Sequence, residues 1–378
     1  MVSVWVRHGS CTLIESWCFG LLKVASPLAL PTQSSIEPCV LSASYRSEMK
    51  REHSLPSPII EVRKLVKYYR KSNVPALDGL DLAITKGRIF TLLGRNGAGK
   101  TTFLRIATTQ LLPTSGYVTV LGLNVLGDAN AIRKRIAIAP QEGRPLWTLT
   151  ATDHIILALM MRGVSHSEAL DKAKPLLERL ELIEIQNVRS EDLSGGMKQR
   201  VLVAMAIACD AELIFLDEPT IGLDPVSRRK VWDELIRLKT EEDRTIVLTT
   251  HYMDEAEALS DELAIIDRGR VLTTGSPSEV REKHLNAKIR IDVTNGFAPE
   301  ELQAYGKVVR AGNLLRLLTD EAKAQEISSE ALKRKAAISI SPVSLDDVFV
   351  ELVGSDIDRD LPANNTAETV KGGSIYER

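Results

Sequence analysis

The chain has 378 residues, 44% of them apolar, which is enough for two or three domains and at least one sizeable core and excludes a short peptide or a wholly disordered chain. Its 48 Lys and Arg stand against 50 Asp and Glu, a formal charge of -2, so the molecule as a whole has no strong pull toward nucleic acid or anionic lipid. Four cysteines, at 11, 18, 39 and 209, form no C-x-x-C pair and no His/Cys cluster, and neither a disulfide framework nor a zinc site is indicated. No apolar run reaches the length of a membrane-spanning helix, so work at a membrane would need another subunit to cross it.

Residues 1–48 have no helical or strand period and hold three of the four cysteines. Glu15 and Lys23 interrupt their one apolar stretch, which argues against a secretory signal. An N-terminal extension over 1–55 is expected, disordered or lying upstream of a true start at Met49. From Ile59 the pattern becomes regular. Ile59 to Val62, and then Leu80, Leu82 and Ile84, read as half-buried strands of an antiparallel layer. The apolar run Ile89 to Leu93 meets glycines, and a helix is predicted from Lys100 to Leu112, where Pro113 ends it.

Short continuous apolar runs at Ile136 to Ala139, Leu213 to Leu216, Ile246 to Leu248 and Leu263 to Ile266 read as buried central strands of an α/β sheet. No strand-like run lies between about 143 and 193, which predicts a helical subdomain there. Within it, Ser165 and Glu168 cap a helix whose Leu170, Ala173, Leu177 and Leu180 share a face, and Pro175 is expected to kink or split that helix. From 286 to 353 the rhythm is strand, helix, strand, strand, helix, strand, a βαββαβ unit, followed by a helix capped by Ser344 with Asp347. The tail after Gly354 is polar and expected to be disordered.

Three motifs carry chemistry. Gly94-Arg-Asn-Gly-Ala-Gly-Lys100-Thr101 satisfies G-x-x-x-x-G-K-[ST] between a strand and a helix. Its backbone N–H groups and the helix dipole suit a phosphate chain; Lys100 is expected to reach the β and γ phosphates, and the Thr101 hydroxyl to hold Mg2+. Leu213-Ile-Phe-Leu-Asp217-Glu218 sets two carboxylates at a buried strand's end, Asp217 for the metal shell and Glu218 to orient and polarise the attacking water. Leu193-Ser194-Gly195-Gly196-Met-Lys-Gln-Arg200 opens a second helix with bare amides and a hydroxyl, another anion site. One phosphate cradle is already present, so a second suggests a nucleotide held between two subunits.

In this order, over about residues 59 to 285, these motifs resemble the nucleotide-binding subunit of an ATP-binding cassette (ABC) transporter. The resemblance implies a P-loop NTPase of the α/β class with a mixed-sheet core, an antiparallel β subdomain and a helical subdomain, here joined to the small α+β unit. It implies ATP and Mg2+ as ligands, with Gly94, Arg95, Asn96, Gly97, Ala98, Gly99, Lys100, Thr101 and Thr102 around the phosphates. By position, Gln141 would be the Q-loop glutamine touching metal and water, Asp224 the D-loop residue communicating across the dimer, and His251 the switch histidine near the γ-phosphate. Tyr69, or its neighbour Tyr68, would stack on adenine. Taken singly, Gln141, His251 and Tyr69 would be ordinary surface or strand-end residues; the spacing within the whole cassette reverses that for Gln141, Asp224 and His251.

A finer resemblance is to drug-exporter ATPases that pair with an ABC-2 type membrane subunit. Pro219 to Pro225, Leu248 to Glu257 and Ser344 to Leu352 carry it. It implies a homodimer, or a pair with a second ATPase subunit, on the cytoplasmic face of the cell membrane, exporting drug-like or lipid-like compounds through an integral membrane permease; no nucleic acid is expected. Asp153-His154-Ile155 departs from the Glu-Asn-Leu common in such relatives. Two other readings compete: a soluble ABC-type ATPase acting on ribosomes or nucleic acid, and a non-hydrolysing regulatory nucleotide binder. The single cassette and the short interval before Ser194 argue against the first; Glu218 and His251 argue against the second.

Overall fold

The protein is described by a computed structural model covering residues 58–354 apart from Lys71 and Glu142. The expected N-terminal extension and the tail beyond Gly354 lie outside the described residues.

The chain opens with β1 (Ile60–Lys67), β2 (Leu77–Ile84), β3 (Ile89–Leu93), α1 (Lys100–Ala107), β4 (Ser115–Val120), β5 (Leu123–Asn124), α2 (Ala129–Arg135) and β6 (Ile136–Ala139). It continues through α3 (Ala151–Met160), α4 (His166–Arg179) and α5 (Gly195–Ala208), then β7 (Leu213–Asp217), α6 (Pro225–Glu242), β8 (Thr245–Thr250) and α7 (Met253–Leu259). Next come β9 (Glu262–Asp267), β10 (Arg270–Gly275) and α8 (Pro277–His284). The last stretch holds β11 (Ile289–Val293), α9 (Pro299–Gln303), β12 (Lys307–Ala311), β13 (Leu314–Thr319), α10 (Glu321–Arg334), β14 (Ile338–Pro342) and α11 (Leu345–Phe349).

The central sheet has the order β10-β9-β3-β8-β7-β6, parallel except for β10. Its inner strands β3 and β7 and the edge strand β6 are mainly apolar because both faces are covered. On β7, Leu213 and Phe215 turn toward a core shared with the antiparallel sheet β2-β1-β4-β5, while Ile214 and Leu216 turn toward α3, α4 and α5. Registry brings Leu93 beside Thr250, Asp217 beside Thr249 and Ala139 beside Leu216. The C-terminal ends of β3, β8, β7 and β6 therefore lie side by side, and the segments leaving them, which carry the sequence motifs, emerge along one edge.

The third sheet has the order β12-β13-β11-β14, antiparallel throughout, the ferredoxin-like arrangement of a βαββαβ unit. Ile291, Val293, Leu302, Leu317 and Ile327 form its own core. Helix α11 leaves that unit: Leu345 and Val348 pack with Ala256, Leu263, Ile265 and Val280. Asp347 accepts the N–H and hydroxyl of Ser344 at 2.9 and 3.1 Å, as the capping pattern predicts.

Three local expectations differ from the structure. Helix α1 ends at Ala107 and not at Leu112, because the Thr108 hydroxyl bonds back to Leu104 O at 2.8 Å and Thr109 turns left-handed at φ 62°. Pro175 does not split α4. It lies on the exposed side, where the carbonyl it leaves unpaired one turn earlier meets solvent, while Ala169, Ala173, Leu176 and Leu177 hold the other side against the core. Leu170 is exposed rather than part of that face.

Candidate functional site

Residues 94–99 form the turn between β3 and α1. Gly99 has φ 108°, and a Cβ there would meet Ala76 O at 2.5 Å and Leu77 Cδ2 at 2.9 Å, so only glycine fits. Gly94 N–H donates to Thr250 O at 3.3 Å, tying the loop to the end of β8. Gly94, Ala98 and Gly99 are buried; Arg95, Asn96 and Gly97 form the exposed rim. Lys100 is 5% exposed, and its Nζ donates to Gly94 O at 2.7 Å and Arg95 O at 3.2 Å. The same ammonium lies 3.5 Å from Glu218 Oε1. Burial pushes the Lys100 pKa below its ordinary value, against the opposing pull of Glu218 and Asp217.

Asp217 is buried and accepts the Thr249 hydroxyl at 2.5 Å and the Thr101 hydroxyl at 3.2 Å. Burial raises its pKa, so its surroundings would welcome positive charge. Glu218 stands at φ 51°, its N–H held by Thr249 O and Oγ1, both at 3.1 Å. Its Oε2 faces His251 Nδ1 at 3.1 Å, an ion pair when the imidazole is protonated. A cavity of 370 Å³ opens beside these groups, lined by Gly94, Arg95, Asn96, His251, Met253 and Phe349.

The remaining predicted residues fall in three places. Tyr69, not Tyr68, reaches the phosphate-loop helix: its hydroxyl lies 3.2 Å from Thr102 Oγ1. Gln141 follows β6 at the same sheet edge, half-buried, and its side chain forms no hydrogen bond with the described residues. Ser194 caps α5, its Oγ accepting Met197 N–H at 3.2 Å. Asp224 caps α6, accepting the N–H groups of Val226 and Ser227 at 3.0 Å each; hydrogen bonds from Ser227 and Val226 hold its carboxyl below the usual range. Ser194, Gly195, Gly196 and Asp224 line a second cavity of 610 Å³, which shares no lining residue with the first.

Several contributors escape sequence reasoning. Gln199 Nε2 donates to Glu218 O at 3.3 Å, joining the second glycine-rich helix to the carboxylate pair. Thr249 serves both Asp217 and Glu218; the signal was present in the two threonines that close the strand after the apolar run Ile246 to Leu248. Phe349 lies 98 positions beyond His251, and no local pattern announces that it lines the same cavity.

Comparisons with known proteins bear on the family and the fold. The family described as ABC transporter matches residues 77–221. The daunorubicin/doxorubicin resistance ATP-binding protein DrrA of Streptomyces peucetius is 33% identical over 337 residues, covering 84% of this chain and 98% of that protein. The retinal-specific phospholipid-transporting ATPase ABCA4 of Homo sapiens is 38% identical over 275 residues, 73% of this chain; the chain spans only 12% of that much longer protein. Among solved structures, the dimeric ATP-binding cassette MJ0796 in a post-hydrolysis state with ADP and Pi superposes with a TM-score of 0.54 at 27% identity, covering 57% of this chain and 98% of that one. The fold and the phosphate loop define a P-loop ATPase. The chain belongs to the ABC transporter family, as an ATP-binding component of the ATPase type.

Proposed function

We propose that two copies of this chain, or one copy and a second ATPase subunit, close around two ATP molecules and that hydrolysis reopens them to drive transport. The observation that supports this most directly is the division of phosphate-binding features between two separate cavities of one chain, one around Gly94 to Asn96 and His251, the other around Ser194 to Gly196 and Asp224. Each is half a site, and a facing partner supplies the other half. Each γ-phosphate then bridges both subunits, and its cleavage removes the contacts that favour closure.

In this reading the loop amides of Gly94, Arg95, Asn96, Gly97, Ala98 and Gly99 cradle the phosphates with Lys100, Thr101 and Thr102, and Tyr69 stacks on adenine. Thr101 and Asp217 suit Mg2+: they are hard oxygen donors 3.2 Å apart, and the described residues hold no cluster of three metal-binding side chains, so phosphate and water would complete the shell. Bound there with Gln141, Mg2+ would neutralise phosphate charge. Glu218 takes the proton of the attacking water, His251 steadies the γ-phosphate from the other side of Glu218, and Asp224 faces the partner subunit. Glu218 is paired with Lys100 in the structure, and phosphate entering the loop would compete for that ammonium and free the carboxylate.

The ATPase unit is assigned to 56–285 with its helical subdomain at about 143–193, and the accessory unit to 286–353. The partner is an integral membrane permease of ABC-2 type, to which the chain attaches peripherally at the cytoplasmic face, and the cargo is a drug-like or lipid-like compound. Similarity to DrrA over nearly its whole length supports this assignment. ATPase turnover, measured for the chain alone and with a candidate six-span membrane protein in lipid, is expected to rise severalfold with the partner. Turnover indifferent to every such partner, or stimulated by ribosomes or nucleic acid, would remove the transport reading.

A further inference from the structure

The loop from Glu218 to Asp224 carries the proposed base at one end and the proposed partner-facing aspartate at the other. Its middle is anchored at Thr220, which is fully buried. Thr220 Oγ1 donates to Glu255 Oε1 at 2.8 Å, and Trp232 Nε1 of α6 donates to the same oxygen at 3.1 Å. Glu255 is 0% exposed and lies in the first turn of α7, the helix that starts two residues after His251. Its other oxygen, Oε2, is buried with no hydrogen bond of ordinary length, although the Thr250 hydroxyl acts on the same carboxyl as Thr220 and Trp232 do.

A carboxyl group in such a place is costly, and burial raises its pKa. The Arg228 charge pulls the other way without forming an ion pair with Glu255; its guanidinium pairs with Asp254 at 3.2 Å and stacks 4.6 Å from the centroid of the Tyr252 ring. Leucine would fill the space without burying a carboxyl group, so packing alone does not account for glutamate here. What glutamate adds is a fixed acceptor between two elements. At the front of the loop Glu218 is pinned to Thr249, Ile221 N–H returns to Glu218 O at 3.3 Å, and Leu223 N–H to Thr220 O at 3.1 Å. Without Glu255 the second anchor is lost, leaving Thr220 with a buried donor and Trp232 with a half-buried one. The far side of the same helix is also held, since Glu257 accepts Leu345 N–H at 2.8 Å and Arg281 Nη1 at 2.9 Å.

We propose that Glu255 is a positioning residue for ATP turnover: by clamping Thr220 it locks the Glu218 to Asp224 loop to the helix that follows His251, so that the three groups keep one relative arrangement. It touches no nucleotide and acts through its neighbours. This rests on the roles given above to Glu218 and His251.

The test is steady-state ATP hydrolysis by the full chain as wild type, Glu255→Leu, Glu255→Gln, Thr220→Val and the Thr220→Val/Glu255→Leu double variant, with folded fraction from thermal melts. Glu255→Leu is expected to lower kcat per folded molecule about tenfold or more while KM for ATP moves less than about threefold, because the interaction serves the transition state and not binding. Glu255→Gln keeps an acceptor oxygen and is expected to stay within about threefold of wild type, and the double variant to be no slower than the worse single one. Glu255→Leu with unchanged kcat per folded molecule, or single effects that simply add, would overturn the clamp. Should Glu255→Leu not fold, Thr220→Val decides alone: it removes the donor with little change of volume, and unchanged kcat would overturn the proposal. Failure of the wild type to hydrolyse ATP would remove the functional reading and the clamp together, whereas an active wild type silenced by Glu218→Gln but indifferent to Glu255→Leu and Thr220→Val would remove the clamp alone.

Discussion

Glu218→Gln is expected to lower ATP turnover by roughly a hundredfold to ten-thousandfold, the usual contribution of a positioned general base, while leaving ATP affinity within a few-fold of wild type. The reasons are geometric. Glu218 is 5% exposed, its backbone is held by Thr249, and its two oxygens face Lys100 and His251. The amide preserves the volume and a hydrogen-bonding oxygen in that enclosed position but cannot take a proton from water. Its neutral side chain also stops competing with phosphate for the Lys100 ammonium. Phosphate release should therefore fall while the amount of ATP retained after rapid gel filtration rises. Unchanged turnover would show that the proton goes elsewhere and would remove Glu218 from the chemistry.

Lys100→Ala is expected to act on binding instead. The ammonium is buried, donates to Gly94 O and Arg95 O, and stands at the N-terminus of α1, where phosphate oxygens would take over those bonds. Loss of charge-assisted hydrogen bonds to phosphate costs about 2–4 kcal/mol, or roughly 30- to 1,000-fold in Kd. Without nucleotide the variant should also melt lower than the wild type, because Glu218 is left buried without its cation, a loss only partly offset by relief of the burial cost that depresses the lysine pKa. Thermal shift reads both effects at once. ATP should raise the midpoint of the wild type, as a ligand of the native state must, and should leave that of Lys100→Ala nearly unmoved. A variant stabilised by ATP as strongly as the wild type would show that Lys100 is not a phosphate ligand.

Much of the central sheet was legible because its strands are buried on both faces and therefore read as continuous apolar runs: Ile89 to Leu93 and Ile136 to Ala139 emerge with their predicted bounds. Strands β4, β5 and β10 carry a weaker signal. Ser115 to Tyr117 are exposed and β10 is covered only in part, so neither continuous burial nor strict alternation marks them. The end of α1 was misplaced because Pro113 is the conspicuous breaker, whereas the actual stop is a threonine hydroxyl returning to Leu104 O.

The phosphate loop and the two carboxylates were readable because each is a contiguous stretch whose chemistry needs adjacent residues. The supports around them are not contiguous. Thr249, Gln199, Glu255 and Phe349 come from four separate elements, and only the parallel registry of β7 with β8 and the return of α11 onto α7 bring them to the same edge. Sequence spacing carries no record of such meetings unless a family pattern supplies one. Even then the pattern names a role for Gln141, whose side chain forms no hydrogen bond with the described residues.

Sedimentation velocity of the purified Glu218→Gln chain, with MgATP and with MgADP, bears most directly on the claim that one triphosphate is shared by two half-sites. With ATP the chain should sediment as a dimer that persists while the nucleotide remains uncleaved; with ADP it should run as a monomer. A chain shown to bind ATP that stays monomeric with it, well above the dissociation constant for the nucleotide, would mean that Ser194 to Gly196 do not complete the site of a partner.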